Sequence, residues 1–179
     1  MLRIDDTILV LIDIQGKLAT LMHDKDLFFA NTAKIIEGAK VLNIPIIWNE
    51  QLPDKLGRTV PEVSDHLEGL SPLEKNSFSC CGNHKFMANL KSSKREQILI
   101  AGMETHVCVY QTVLDLLPEG YEVSLITDAV SSRTLENKET AIQAMKQLGA
   151  KLTTVEMALF EMLRVAEGDQ FKKIIQIVK

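Results

Sequence analysis

Cysteine is scarce in this chain. Of 179 residues three are cysteines, two of them adjacent (Cys80 and Cys81) and none in a C-x-x-C pair. Neither a disulfide framework nor a structural zinc site fits that count and spacing, so reduced thiols are expected. A surplus of positive charge is also missing: 20 Lys and Arg stand against 24 Asp and Glu, a formal charge of -4, with the signs mixed along the chain. Without a basic stripe to neutralise phosphates, nucleic acid is not an expected partner. No long hydrophobic run exists, the longest being Ile8 to Ile12, far short of a membrane span. The first residues, MLRIDD, lack the charged-then-apolar pattern of a secretory signal, so no membrane partner is expected and the expected compartment is cytoplasmic. Repeats, low-complexity tracts and dividing linkers are absent too. The length and the 46% hydrophobic content suit one domain over 1–179 with a proper core.

What is present is a recurrence of short apolar, β-branched runs: Thr7 to Ile12, Ile44 to Trp48, Ile98 to Ala101, Val123 to Thr127 and Lys151 to Val155. Each reads as a strand buried on both faces. Helical stripes lie between them, with Phe28, Ile35, Ala39 and Leu42 on one and Ile142, Met145 and Leu148, closed by Gly149, on another. Strands alternating with helices at this spacing predict an α/β fold with a mostly parallel sheet. Residues 50–82 break the pattern with Pro, Gly, Ser and charge, and an excursion that long is expected to form a site. At the end, Phe171, Ile174, Ile175 and Val178 make an i, i+3, i+4, i+7 stripe with Asp169 as candidate N-cap, to pack on the sheet or meet another subunit.

In open parallel sheets ligands bind beyond the carboxyl ends of the strands, so the residues just after each run matter most. Those positions hold Asp13, then Gly102 with Cys108 six residues on, then Asp128; Lys75 lies in the excursion and could reach the same edge. Taken singly, each has an ordinary explanation. A strand-end Asp commonly orders a turn, a Lys beside a Glu is usually a solvated pair, and a free Cys packs as a small hydrophobe. Asp128 reads as a loop-ordering carboxylate with Ser131, Ser132 or Arg133 as partner. His106 has no second His or acid at ligand spacing, which argues against a metal. The setting of Cys108 raises its interest: "GMETHVCVYQT" predicts a strand end, a short loop and a helix starting at or just before Cys108 and stopping near Pro118. Unpaired N–H groups and the helix dipole there favour thiolate, and a Lys and an Asp nearby would complete an activated nucleophile.

Four blocks, "LIDIQ" (11–15), "EKNSFSC" (74–80), "GMETHVCV" (102–109) and "TDAVSSR" (127–133), give the chain a resemblance over nearly its whole length to the isochorismatase-like cysteine hydrolases, which include nicotinamidases and N-carbamoylsarcosine amidohydrolases. The resemblance implies a three-layer αβα fold on a six-stranded sheet, a small-molecule substrate, a homo-oligomer and an Asp-Lys-Cys triad falling on Asp13, Lys75 and Cys108. It implies a cis peptide between Met103 and Glu104 that aims the Glu104 N–H, with that of Cys108, at a substrate oxygen. Gln15, Phe78 and His106 lie within or beside these blocks and are nominated for the pocket wall, and Trp48 for packing or stacking. Two departures stand out. Nicotinamidases hold a metal through Asp-x-His and a further His, whereas this chain has "IIWNEQLPDKLG" with no histidine until His66, so no metal or other cofactor is expected. Isochorismatases generally lack the nucleophilic Cys that this chain keeps. The implied reaction is hydrolysis of a small amide or related C–N bond through a thioester. Its rivals are a vinyl-ether hydrolase using Asp13 and Lys75 alone, a catalytically silent scaffold, and a redox sensor pairing Cys108 with Cys80 or Cys81.

Overall fold

A computed structural model describes residues 1–179. Its strands are β1 (Thr7–Ile12), β2 (Ile46–Gln51), β3 (Leu73–Lys75), β4 (Gln97–Met103), β5 (Glu122–Ser131) and β6 (Lys151–Thr153). They form one sheet in the order β3-β2-β1-β4-β5-β6, and every neighbouring pair is parallel. The helices are α1 (Gly16–Ala19), α2 (Lys25–Val41), α3 (Pro53–Leu56), α4 (Pro61–Ser64), α5 (His84–Ser93), α6 (Tyr110–Leu116), α7 (Leu135–Gln147), α8 (Val155–Leu163) and α9 (Gly168–Val178).

Alternation along each strand divides the core in two, as a period of two requires. Leu9 and Leu11 of β1 point to one side, among Phe28, Ile35 and Ile36 of α2, Leu159 of α8 and Ile174 of α9. Ile8, Val10 and Ile12 point to the other, among Phe86 of α5, Val113 of α6 and Met145 of α7. This is the expected three-layer arrangement. The order in which strands are added switches from one side of β1 to the other between β1 and β4, and at that switch point Gly102 is needed for clearance: a Cβ there would stand 2.6 Å from the Ile12 carbonyl oxygen.

Several boundaries differ from the sequence reading. β2 starts later, after Pro45, and runs on through Asn49, Glu50 and Gln51 because these pair with β3, a strand hidden inside the polar excursion. β5 is longer than expected because it bulges: Ile100 pairs with Leu125 but Gly102 with Val130, so Asp128 lies inside the strand. Val155 opens α8, not a strand, since the Thr154 side chain caps it by accepting from Met157 N–H. Leu148 is exposed just past α7. The last helix begins one residue after Glu167, with Asp169 in its first turn, not at its cap. Its stripe folds back on the molecule: Ile174 is fully buried and Ile177 and Val178 lean on the same core. No helix is long and apolar enough to cross a membrane.

Candidate active site

Asp13, Lys75 and Cys108 come from three different strand ends and meet. Asp13 follows β1 with φ of 58°, a left-handed turn that Asp tolerates better than most residues. Its N–H donates to Asn49 O (3.1 Å), and its carboxylate is 3% exposed. Lys75 closes β3, and its fully buried ammonium donates to Asp13 Oδ2 (2.6 Å), Gln51 Oε1 (2.6 Å), Phe78 O (2.9 Å) and Ser77 O (3.0 Å). Four oxygens around three N–H donors satisfy that charge without water. Asp13 Oδ1 makes no geometrically sound hydrogen bond; the Cys108 thiol is the neighbouring donor, and the contact favours the ionised carboxyl.

Cys108 lies in a π-helical turn, Thr105–Val109, that runs into α6, so helical winding starts three residues earlier than expected. Such turns are rare and gather at functional sites. The surroundings of the thiol favour its protonated form. Burial first, then the Asp13 charge, push it up to about 12, and Lys75 offsets only part of this. Desolvation and a like charge thus oppose the helix-end effect expected from the sequence. Burial also raises the Asp13 carboxyl above its ordinary value, against the opposing pull of Lys75.

A cavity of about 130 Å³ opens beside the thiol, lined by Asp13, Gln15, Gln51, Glu104 and Cys108 together with Leu18, Leu56, Phe78, Met103 and Val107. Phe78, 55% exposed, stands at its mouth and is not core. Gln15 lines it with its amide already spent: Nε2 donates to Gln51 O (3.0 Å) and Gly57 O (2.6 Å), and Oε1 accepts from Gln51 N (2.6 Å). Its role in the structure is to tie β1 to the excursion. His106 is not part of the lining; its Nδ1 pairs with Ser132 Oγ at 3.0 Å, outside the cavity. Trp48 packs within β2, donating Nε1–H to Thr59 Oγ1 (2.8 Å). Asp128 orders structure as expected but through other partners, accepting from Val155 N–H at the start of α8 (2.9 Å). Arg133 instead grips Glu104 through Nε (3.2 Å) and a terminal nitrogen (3.1 Å). Sequence reasoning missed Gln51, Leu18, Leu56, Met103 and Val107. Of these only Gln51 left a signal, as a polar residue ending a strand.

The family model for the isochorismatase domain matches residues 7–157. The chain belongs to the isochorismatase family. It is 35% identical to the secreted isochorismatase effector Isc1 of Phytophthora sojae (strain P6497) over 179 residues, covering 97% of this chain and 84% of that protein. Among solved structures it superposes on the MAR1 ribonuclease of Caenorhabditis elegans with a TM-score of 0.92 at 32% identity, covering 99% of this chain and 91% of that one. It matches equally well, TM-score 0.92 at 26% identity over 98% and 88% of the two chains, the YcaC protein of Escherichia coli, described as an octameric hydrolase of unknown specificity.

Within this hydrolase family two implied features take a different form here. No peptide bond is cis. The chain turns out of β4 through Glu104, which adopts φ 54°, ψ 58° and whose side chain is paired with Arg133. At the position of the nicotinamidase metal ligands, Asn49 donates to Leu11 O (3.0 Å), Glu50 accepts from Thr59 N and Oγ1 (2.7 and 2.8 Å), and Gln51 donates to Asn76 O (3.0 Å). Glu50 and Gln51 are committed internally, Asn49 keeps only its amide Oδ1 unpaired, and His66 is away on Glu37 (3.0 Å), so with no cluster of His, Cys, Asp and Glu there the residues present do not fit that metal.

Proposed function

We propose that this isochorismatase-family chain hydrolyses a small amide or related C–N bond through a thioester on Cys108. The observation that carries the proposal is the buried Lys75–Asp13 pair at 2.6 Å with the Cys108 thiol beside the Asp13 carboxylate, all at one small cavity. Asp13 takes the thiol proton as Sγ bonds to the carbonyl carbon and the carbonyl electron pair moves onto oxygen. A thiol pushed up to about 12 is not ionised beforehand, so transfer and attack are coupled; the raised carboxyl pKa makes Asp13 a better base for that step. The oxyanion is received by the N–H groups of Cys108 and Glu104, at a helical start whose first N–H groups lack intrahelical partners. Asp13 then passes its proton to nitrogen, the C–N bond breaks and the amine leaves. Water attacks the thioester with Asp13 accepting its proton, the C–S bond breaks, and sulfur regains the proton. Lys75 lowers the carboxyl pKa against burial and so favours ionised Asp13 at the start of each half-reaction.

The raised Asp13 carboxyl also favours a second reading, in which Asp13 acts as an acid on a vinyl ether and the thiol is a bystander. Cys108→Ala separates them. A C–N hydrolase loses at least about 10⁴-fold in turnover and no longer yields an acylated Cys108 peptide after acid quench; turnover that survives the change sinks the thioester. The name of the nematode relative raises RNA as a substrate, but the charge of -4 and the cation-free cavity support a small molecule. Three unbridged thiols suit the reducing cytoplasm. Neither Cys80 nor Cys81 lines the cavity, and burial pushes the Cys81 thiol up to about 11, which weighs against the redox reading.

A further inference from the structure

The cavity beside Cys108 has an unusual division of labour. Apart from Asp13 Oδ1 and the thiol, its polar members are engaged before any ligand arrives: Gln15 and Gln51 in mutual and backbone bonds, Asp13 Oδ2 with Lys75, Glu104 with Arg133. The wall left free is apolar, made by Leu18, Leu56, Phe78, Met103 and Val107. No Lys or Arg lines it. Asp13 and Glu104 do, and their cations lie outside the lining: the Lys75 side chain is wholly buried, and Arg133 holds Glu104. At about 130 Å³ the space compares with an engineered apolar cavity of about 150 Å³ that takes benzene.

Resting on the thioester reading for its chemistry, we infer that this pocket selects an uncharged, apolar acyl group no larger than about a benzene ring and rejects substrates whose acyl part carries a carboxylate. A buried anion needs a paired cation, and here it would meet Asp13 and Glu104 instead. A dicarboxylate such as isochorismate falls outside this selection. The specificity belongs to the wall, so it is expected even where the thiol is absent.

Binding to Cys108→Ala protein, followed by NMR titration with isobutyramide, benzamide and succinamate, tests the inference apart from turnover. The neutral amides are expected to bind at least about 100-fold more tightly than succinamate, and Leu56→Arg, which places a cation on the half-exposed wall, is expected to erase most of that gap. Succinamate binding as well as the neutral amides, or no binding by any of them, overturns the selection. If the neutral amides bind as expected while wild-type protein neither releases ammonia from them nor acylates Cys108, the thioester reading fails and the pocket's ligand class stands.

Discussion

Cys108 keeps its proton because two effects act in the same direction: the thiol is buried, and its neighbour is an anion. Those effects separate on mutation. In Asp13→Asn the charge that raises the thiol is gone while Lys75, which lowers it, retains three oxygen acceptors. The pH midpoint of Cys108 alkylation by iodoacetamide, read by peptide mass spectrometry, should therefore fall from about 12 toward the ordinary thiol value, while turnover drops by about 10²–10⁴ for loss of the base. Lys75→Met should move the midpoint the other way. An unchanged midpoint in Asp13→Asn would show that burial alone sets the thiol. The same variants bear on stability, since leaving one member of a buried ion pair unpaired typically costs about 3–5 kcal/mol. The loss should be smaller for Asp13→Asn, where the lysine remains solvated by the protein.

At the scale of elements, the site depends on how the 50–82 excursion is tied down. Gln15 does most of this: one buried side chain satisfies Gln51 N, Gln51 O and Gly57 O, and its neighbour Gly16 meets the Leu56 carbonyl so closely that a Cβ would stand 1.8 Å away. Gln15→Ala strands those backbone groups in a dry setting. The expected cost is about 1–3 kcal/mol per unsatisfied buried group, seen as a lower urea midpoint, with faster hydrogen exchange at Gln51 confined to the β2–α3 junction. Exchange that rises uniformly across the sheet would mean Gln15 is ordinary core. The excursion was legible as site-forming from its composition, and β3 was not, because three residues with polar neighbours carry no periodic signal. The β5 bulge was hidden for a related reason: its extra residues are apolar and polar in an order that reads as a strand end.

For the whole molecule, α9 folds back with Ile174 fully buried and Val178 against the same core, while Phe171 and Ile175 of the stripe stay half-buried, so only part of the sequence support for a scaffold role is used up within the chain. A homo-oligomer is still our expectation, by analogy with the octameric relative and with Phe78 exposed at the cavity mouth. Light scattering on the purified protein should give a mass of several 20.0 kDa chains; a monomer at micromolar concentration would end that analogy.

The amino-acid sequence by itself determined the alternation of strands and helices, the strand-end positions of Asp13 and Cys108, and the four blocks that carry family membership, because hydrophobic period and short motifs are local properties of a chain. Only the tertiary structure decided the environment that raises the Cys108 thiol, the internal bonding of the Gln15 amide, the place of His106 outside the cavity lining, and the apolar, cation-free wall beside the thiol. Each of those depends on what distant segments place around a group: a pKa follows from burial and neighbouring charge, and a polar side chain can bind a ligand only if the fold has left it unpaired.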